Sequence, residues 1–403
     1  MLNRLQRDLQ KLGSFGKYEE GGVFRPSLGE ADLEAREFVM GLMLDAGLEI
    51  HTDRAANIVG IRKGRKKTPL VTSGSHIDAG RKWGIFDGPL GVIGAIEAIR
   101  MMNDENTETK FPIGVICFTD EEGAYLTLAG SHYFAGIISK EELYQKTNKY
   151  DGSIFGKLID KALPKNVEEK FTLPIRDHVE LHIEQGPVLE AEKKEIGIVS
   201  GIVGIRWLNI VFKGKQSHAG ATPMNLRKDA TIPASRTILA LKNEVTKFPE
   251  MVGTCGLIKV TPNVTNAIPG QVEIGIDLRS LNRKEMESTA EKVINEAEKF
   301  ASEEGCGFSF TTSEAANPVP ASPEIMTSIK KSTESLKYTY IVMPSRAGHD
   351  TQNLAKLAKI GMIFVPSKGG ISHAPEEWTD FDQAHKGVEV LKRSLVDLAG
   401  GKE

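Results

Sequence analysis

The chain has 403 residues, 40% of them hydrophobic and 26% charged, with 51 Lys plus Arg against 54 Asp plus Glu and a net charge of -3. That length predicts two domains rather than one core, and the balanced charge offers no phosphate-tracking surface, which excludes a nucleic-acid binder. Three widely spaced cysteines exclude a disulfide framework and point to free thiols in a reducing, cytoplasmic compartment, and no apolar run approaches membrane-spanning length.

In chain order, "MLNRLQRDLQKLG" is a mixed-charge amphipathic segment without the features of a signal peptide. "EADLEAREFVMGLMLDAG" places Leu33, Val39, Leu42, Met43 and Ala46 at helical spacing, with Gly47 as a stop. The basic stretch "RKGRKK" (62–67) reads as a solvated hairpin tip. "PLVTSGSH" predicts a strand, "GPLGVIGAIEAIRMMND" a helix, "FPIGVICFTD" a buried strand and "DHVELHIEQG" another. This alternation argues for an α/β domain with a largely parallel sheet.

After about residue 207 the pattern changes. "WLNIVFKG", "TCGLIKVTPN", "QVEIGIDLRS" and "GFSFTTSE" read as strands, with helices over "KDATIPASRTILALKNEVTKF" and "RKEMESTAEKVINEAEKFASEEG". The order β-α-β-β-α-β is that of a small ferredoxin-like domain with one sheet face covered by helices. Val272, Ile274, Ile276 and Leu278 alternate with Gln271, Glu273, Asp277 and Arg279, as a half-buried strand requires. Beyond about 322 helix and strand alternate again, with "GMIFVPSKGG" a strand and loop. The expectation is an α/β domain over 1–207 and 323–403, interrupted by an α+β domain over 208–322.

The residues that carry chemistry gather where strands stop. His76 follows "PLVTSGS", with Asp78 two residues on and Asp87 in the loop of "GSHIDAGRKWGIFDG". Glu121 and Glu122 follow "FPIGVICFTD", His182 lies in "VELHIE", and His373 follows "GMIFVPSKGG". Open α/β sheets bind ligands beyond the carboxyl ends of their strands. Imidazoles and carboxylates together suit Zn, Mn or Co, and two ions need a bridging carboxylate with ligands on both sides. Asp87 can bridge, with His76 and His373 completing one set and Glu122 and His182 the other. Asp78 shares a face with His76 and can orient an imidazole or hold a neighbouring ligand. One Glu of the adjacent pair can bind metal while the other serves as general base, its pKa raised by nearby acids. Taken singly, a strand histidine reads as a packed core residue and an acid pair after a strand as a helix start. Five candidates, most of them at strand ends, outweigh that.

The motifs "GSHIDAG...FDGPLGV", "FTDEEGA", "LHIEQGPVLE", "SHAGATPMNLRKDA", "NVTNAIPG", "DLRS", "AGHD" and "SHAPEE" occur in this order along nearly the whole chain. In them the sequence resembles the hydantoinase/carbamoylase group of the aminoacylase-like metallopeptidase superfamily, which holds N-carbamoyl-L-amino acid hydrolases, β-ureidopropionases and allantoate amidohydrolases. The resemblance implies a phosphorylase/hydrolase-like α/β catalytic domain with an inserted ferredoxin-like lid domain through which homodimers form. It implies two divalent metal ions held by His76, Asp87 (bridging), Glu122, His182 and His373, with Glu121 as base. It further implies that Gln185, His218, Asn266, Arg279 and His349 surround the substrate. Arg279 then offers a two-point clamp for a carboxylate, and His218 a donor for the developing oxyanion. Without the resemblance, Arg279 reads as a surface partner of Asp277 or Glu273, His218 as an exposed loop histidine and Asn266 as a turn residue. Trp207 and Trp378 read as core or interface residues.

Three stretches depart from the group's usual pattern. "GRKWGIF" stands where a Pro-Asn-Gly-Gly-Arg-type loop is usual and puts Trp83 at a glycine position. Tyr125 and Leu126 replace an Arg-Phe, and Arg346 replaces a glycine. The implied activity is hydrolysis of a linear C–N bond in an N-carbamoyl-L-amino acid, yielding the amino acid, carbon dioxide and ammonia. Allantoate, N-carbamoyl-β-alanine and N-acyl amino acids are alternative substrates, and a catalytically silent binding homologue is a rival of another class. A two-metal nuclease could use the same His and Asp clusters, but the balanced charge counts against it.

Overall fold

The computed structural model describes residues 2–163 and 167–401. It is a mixed α/β fold that divides into two compact units, Met1–Ser200 with Ala321–Glu403, and Gly201–Pro320. These breaks fall a few residues ahead of the expected 207/208 and 322/323: the strand Gly204–Lys213 begins before Trp207, and after Gly307–Ala316 the short strand Val319–Pro320 ends the second unit.

The large nine-stranded sheet runs in the order Val319–Pro320, Ile196–Ile202, Lys359–Val365, Ile175–Ile183, Leu70–His76, Ile113–Phe118, Ile58–Arg62, Glu49–Thr52, with Tyr340–Ser345, off this path, also pairing with Ile196–Ile202. Its four central strands, from Lys359–Val365 to Ile113–Phe118, pair in parallel, and the flanking strands pair antiparallel. Every residue of Leu70–His76 and of Ile113–Phe118 is buried, which explains why these strands read as unbroken apolar and small-residue runs rather than alternating ones. The helix Pro89–Asp104 starts with its proline at the first turn, where no amide donor is missed, and is apolar nearly all round because it is buried nearly all round. It joins Phe381–Leu398, Leu2–Leu12 and Glu30–Asp45 in one core against the sheet. Trp378 packs on that core, against Phe86 and Phe381.

The stretch 62–67 is solvated but is not a hairpin tip. The strands on either side of it both pair with Ile113–Phe118, one antiparallel and one parallel, so the chain reverses direction across that strand and the two do not pair with each other. On the way the amides of Arg65 and Lys66 donate to Thr109 and Lys110.

The second unit has an antiparallel sheet in the order Val252–Thr261, Gln271–Ser280, Gly204–Lys213, Gly307–Ala316. Gln271–Ser280 alternates buried and partly exposed along most of its length, its apolar face packed on Thr231–Val245 and Arg283–Glu303. Trp207 lies on the other face, 51% exposed, where its indole N–H donates to Asp277, so it is not a core residue. Among the described residues no helix is long and apolar enough to cross a membrane, and Cys117, Cys255 and Cys306 are free.

Candidate functional site

The parallel strands deliver their side chains to one place. His76 is the last residue of its strand and His182 the penultimate residue of Ile175–Ile183. Asp87 sits just before the helix Pro89–Asp104, and Glu121 and Glu122 follow Asp120, whose positive φ of 59° turns the chain beyond Ile113–Phe118. Asp120 holds that turn by accepting the amides of Ala124, Tyr125 and Leu126. His373 comes from the loop after Lys359–Val365, also at positive φ.

Asp87 is the centre. Its Oδ1 lies 3.2 Å from His182 Nε2 and 3.9 Å from His76 Nε2, and its Oδ2 lies 3.3 Å from His373 Nε2. His373 Nε2 is 3.4 Å from Glu122 Oε1, and His76 Nε2 is 3.7 Å from Glu121 Oε2. Two groups capable of holding an ion therefore share Asp87: His76, Asp87 and His182, and Asp87, Glu122 and His373. This corrects the pairing drawn from sequence, which put His76 with His373 and Glu122 with His182. His76 and His182 stand close to each other at strand ends, with ring centroids 6.2 Å apart, whereas Glu122 and His373 come from the two loops.

The donor set fits divalent ions. Two ligands each about 2 Å from a tetrahedral ion stand about 3.3 Å apart, and the Asp87–His182, Asp87–His373 and Glu122–His373 separations of 3.2, 3.3 and 3.4 Å match this. Tautomers agree as well. His76 Nδ1 is 3.2 Å from the Asp78 carbonyl and His182 Nδ1 is 2.9 Å from the Ile183 carbonyl, so each Nδ1 donates to the backbone and each Nε2 is the atom nearest Asp87, that of His182 lying also 3.2 Å from the Gly88 amide.

The shell around these groups is backbone-built. Asp78 accepts the amides of Glu121 and Glu122 at 3.2 and 3.1 Å, tying the acid pair to the His76 strand. Buried Arg25 donates to the carbonyls of Ile77, Leu12 and Phe15, fixing the chain between His76 and Asp78. Gly88, at φ +82°, presses on the His76 ring: a Cβ there would lie 2.4 Å from Cε1, so only glycine fits. Gln185 donates to Asp87 Oδ2 at 2.7 Å. His349 is buried, with Nε2 2.8 Å from Ser345 Oγ and its ring 4.7 Å from that of His182.

Charge is concentrated here. Burial raises the pKa of Glu121; His76 opposes the rise, and Glu122, Asp350 and Asp78 add to it, leaving it well above the carboxylate range. Burial works against a charged His373, but Asp87 and Glu122 outweigh it and carry the imidazole to about 10. His349, buried and beside His182, is held well below the usual histidine range and is neutral.

The motif carrying His373 holds a residue the sequence reading left without a role. Glu377 is buried, accepts the amides of Phe86 and Asp87 at 3.0 Å each, and shares Ser372 with Asp87. Burial and Asp87 push its pKa up to about 7. An acid four residues past a candidate ligand was the available signal.

Of the departures, Trp83 faces the site, stacked on His373 with centroids 3.7 Å apart. Tyr125 points elsewhere, edge-on to Phe155 and 3.1 Å from Ser153, in a separate apolar cluster that Leu126 packs against. Arg346 is half-buried near Glu184, where it counters the rise that burial imposes on that carboxyl.

His218, Asn266 and Arg279 lie in the Gly201–Pro320 unit. A two-residue ladder pairs His218 with Ala267, and Ala219 donates to the Asn266 carbonyl, so His218 and Asn266 are neighbours. The amides of Gly220 and Ala221 both donate to His218 Nδ1, which leaves the proton on Nε2 of this exposed ring. Arg279 grips Asp277 at 2.9 and 3.2 Å, the surface pairing that its strand position alone suggests.

Residues 69–397 match the peptidase family M20/M25/M40. The chain is 35% identical over 408 residues to the N-carbamoyl-L-amino acid amidohydrolase of Geobacillus stearothermophilus, covering 99% of each protein. It is 30% identical to the allantoate amidohydrolase of Bacillus subtilis over 98% of each. The crystal structure of a hydantoinase/carbamoylase family amidase from Burkholderia multivorans superposes with a TM-score of 0.95 at 32% identity, covering 99% of this chain and 98% of that one. The chain therefore belongs to peptidase family M20/M25/M40 and, within it, to the hydantoinase/carbamoylase group of amidohydrolases.

Proposed function

We propose that this protein is a dinuclear metal-dependent amidohydrolase that cleaves the linear C–N bond of an N-carbamoyl-L-amino acid. The observation that supports it most is the ring of donors around Asp87, with a further acid, Glu121, 3.7 Å from His76. In this reading His76, Asp87 and His182 would hold one ion and Asp87, Glu122 and His373 the other, so that Asp87 would serve both. When bound, the two ions supply the Lewis acidity that polarises the scissile carbonyl and acidifies water. Zn, Mn and Co all suit the imidazole and carboxylate set.

Glu121 takes a proton from the attacking water and returns it to the leaving nitrogen, a role suited to a carboxyl whose pKa burial has raised. Gln185 and neutral His349 offer polar atoms beside Asp87 and His182 for orienting the substrate. From the inserted unit, His218 presents Nε2–H to the developing oxyanion, Asn266 holds the amide, and Arg279 exchanges Asp277 for the substrate carboxylate. One water enters, and the amino acid, carbon dioxide and ammonia leave. The inserted unit also joins two copies of the chain, and the free cysteines suit a cytoplasmic setting.

Allantoate is the second reading, since a relative matched over 98% of each chain is an allantoate amidohydrolase. A turnover screen with Zn, Mn or Co added back, across N-carbamoyl-L-amino acids, N-carbamoyl-β-alanine, N-acyl amino acids and allantoate, separates them. The proposal expects the highest kcat/KM on an N-carbamoyl-L-amino acid. A preference for allantoate moves the assignment to that substrate, and no metal-dependent turnover of any of them ends it.

A further inference from the structure

We propose that Trp83 is a positioning residue that holds the His373 imidazole in register with Asp87 and Glu122, so that it sets the affinity of one of the two metal sites and not the other. The inference rests on the assignment of His373 as a ligand.

The three candidate histidines are held in different ways. The side chains of His76 and His182 are 2% and 1% exposed, locked between packed strands. That of His373 is 45% exposed, on a loop and at φ +56°. Backbone burial therefore does not orient this ring, and its carboxylate neighbours stand at 3.3 and 3.4 Å, too far for well-formed hydrogen bonds. What covers it is the indole of Trp83, parallel within 8° at a centroid distance of 3.7 Å.

The indole is itself backed. At Gly80 an added Cβ would lie 2.4 Å from Trp83 Cε2 and 2.6 Å from Cζ2, so the ring rests on the bare backbone of a buried glycine. The strand that carries both, Ala79–Trp83, pairs with Val23–Arg25, Trp83 opposite Val23 and Ala79 opposite Arg25. Its outward side chains are tethered as well: Lys82 pairs with Glu20 at 2.7 Å, and Arg81 lies over Phe24 and Tyr150. Trp83 is thus a fixed plate, and rotating His373 away from the two carboxylates breaks the stack.

A stacked aromatic pair of this kind is worth about two- to tenfold in an equilibrium constant. The effect falls on the ion between Asp87, Glu122 and His373, while the ion between His76, Asp87 and His182 does not feel it. Removing the ring, as in Trp83→Gly, or pushing it off its seat, as in Gly80→Ala, should act alike, and Trp83→Phe should restore the stack.

The test is calorimetric titration of the chelator-stripped full-length protein with Zn²⁺ alone, then Mn²⁺ alone, for the wild type and these three variants. Wild type is expected to show two sites. Trp83→Gly and Gly80→Ala are expected to weaken one of them about two- to tenfold, leaving the other unchanged, with Trp83→Phe close to wild type. Two unchanged sites in Trp83→Gly overturn the inference. So does weakening of both sites together, which would make Trp83 a general packing residue. If the wild type itself binds fewer than two ions, the dinuclear assignment fails first, and the two failures are distinct.

Discussion

Two groups of residues carry the proposed chemistry, and the fold treats them differently. His76, Asp87 and His182 are buried at the ends of parallel strands or against a helix start, the two imidazoles held by backbone carbonyls and Asp87 by Gln185, Ser372 and the bond from its amide to Glu377. His218 is exposed on a two-residue ladder with exposed Asn266 just outside it, and Arg279 is half-exposed and engaged with Asp277. The first group is a preorganised site in which charges are concentrated out of water, a costly arrangement unless cations balance them. The second is held only by local bonds that a ligand can replace. Changes in the first group should therefore alter metal content and stability, and changes in the second only kinetics.

The largest effect should come from the shared carboxylate. Asp87→Ala should abolish uptake of both ions and all turnover, and it should erase the rise in Tm that added metal gives the wild type. Retention of one tightly bound ion would show that Asp87 does not bridge. Next, Glu121→Gln should keep both ions yet lower kcat by about 10²- to 10⁴-fold, the usual worth of a general base. Loss of metal would make Glu121 a ligand instead.

The second group should separate from the first in steady-state kinetics. His218→Ala should lower kcat by about 10²- to 10³-fold with metal content unchanged. Arg279→Lys should act mainly by raising KM, since an ammonium cannot reproduce the two-point grip. Wild-type kinetics in both would leave the inserted unit with no part in substrate binding. Smallest of all, Tyr125→Phe should leave kcat/KM unaltered, because that ring faces Phe155 and Ser153. A change in substrate ranking would show that this departure reaches the site after all.

How far the sequence could be read follows the same division. The central strands Leu70–His76 and Ile113–Phe118 were legible because full burial gives them unalternating runs of apolar and small residues, and Gln271–Ser280 because one covered face gives it strict alternation. Asp78 was legible through its spacing from His76, and its carboxylate does reach the amides of Glu121 and Glu122. The grouping of the histidines was not. Whether His76 stands beside His182 or His373 depends on the order of strands in the sheet, a long-range property that no local pattern encodes. The stretch 62–67 failed for a related reason: its basic composition marks solvent exposure, not which strand comes next. Glu377 was hidden because an acid in a loop reads as solvated, and only the folded chain brings it under the amides of Phe86 and Asp87. The orientation of Trp83 was undecidable until the strand Ala79–Trp83 was seen to lay it on Gly80 beneath His373.

The central claim is that two ions share Asp87, with His76 and His182 on one side and Glu122 and His373 on the other. Anomalous diffraction at the zinc edge from crystals of the Zn²⁺-loaded protein tests it directly. The account predicts two peaks flanking Asp87, one within bonding distance of His76 and His182 and the other of Glu122 and His373. A single peak, or two peaks that pair His76 with His373, would contradict it.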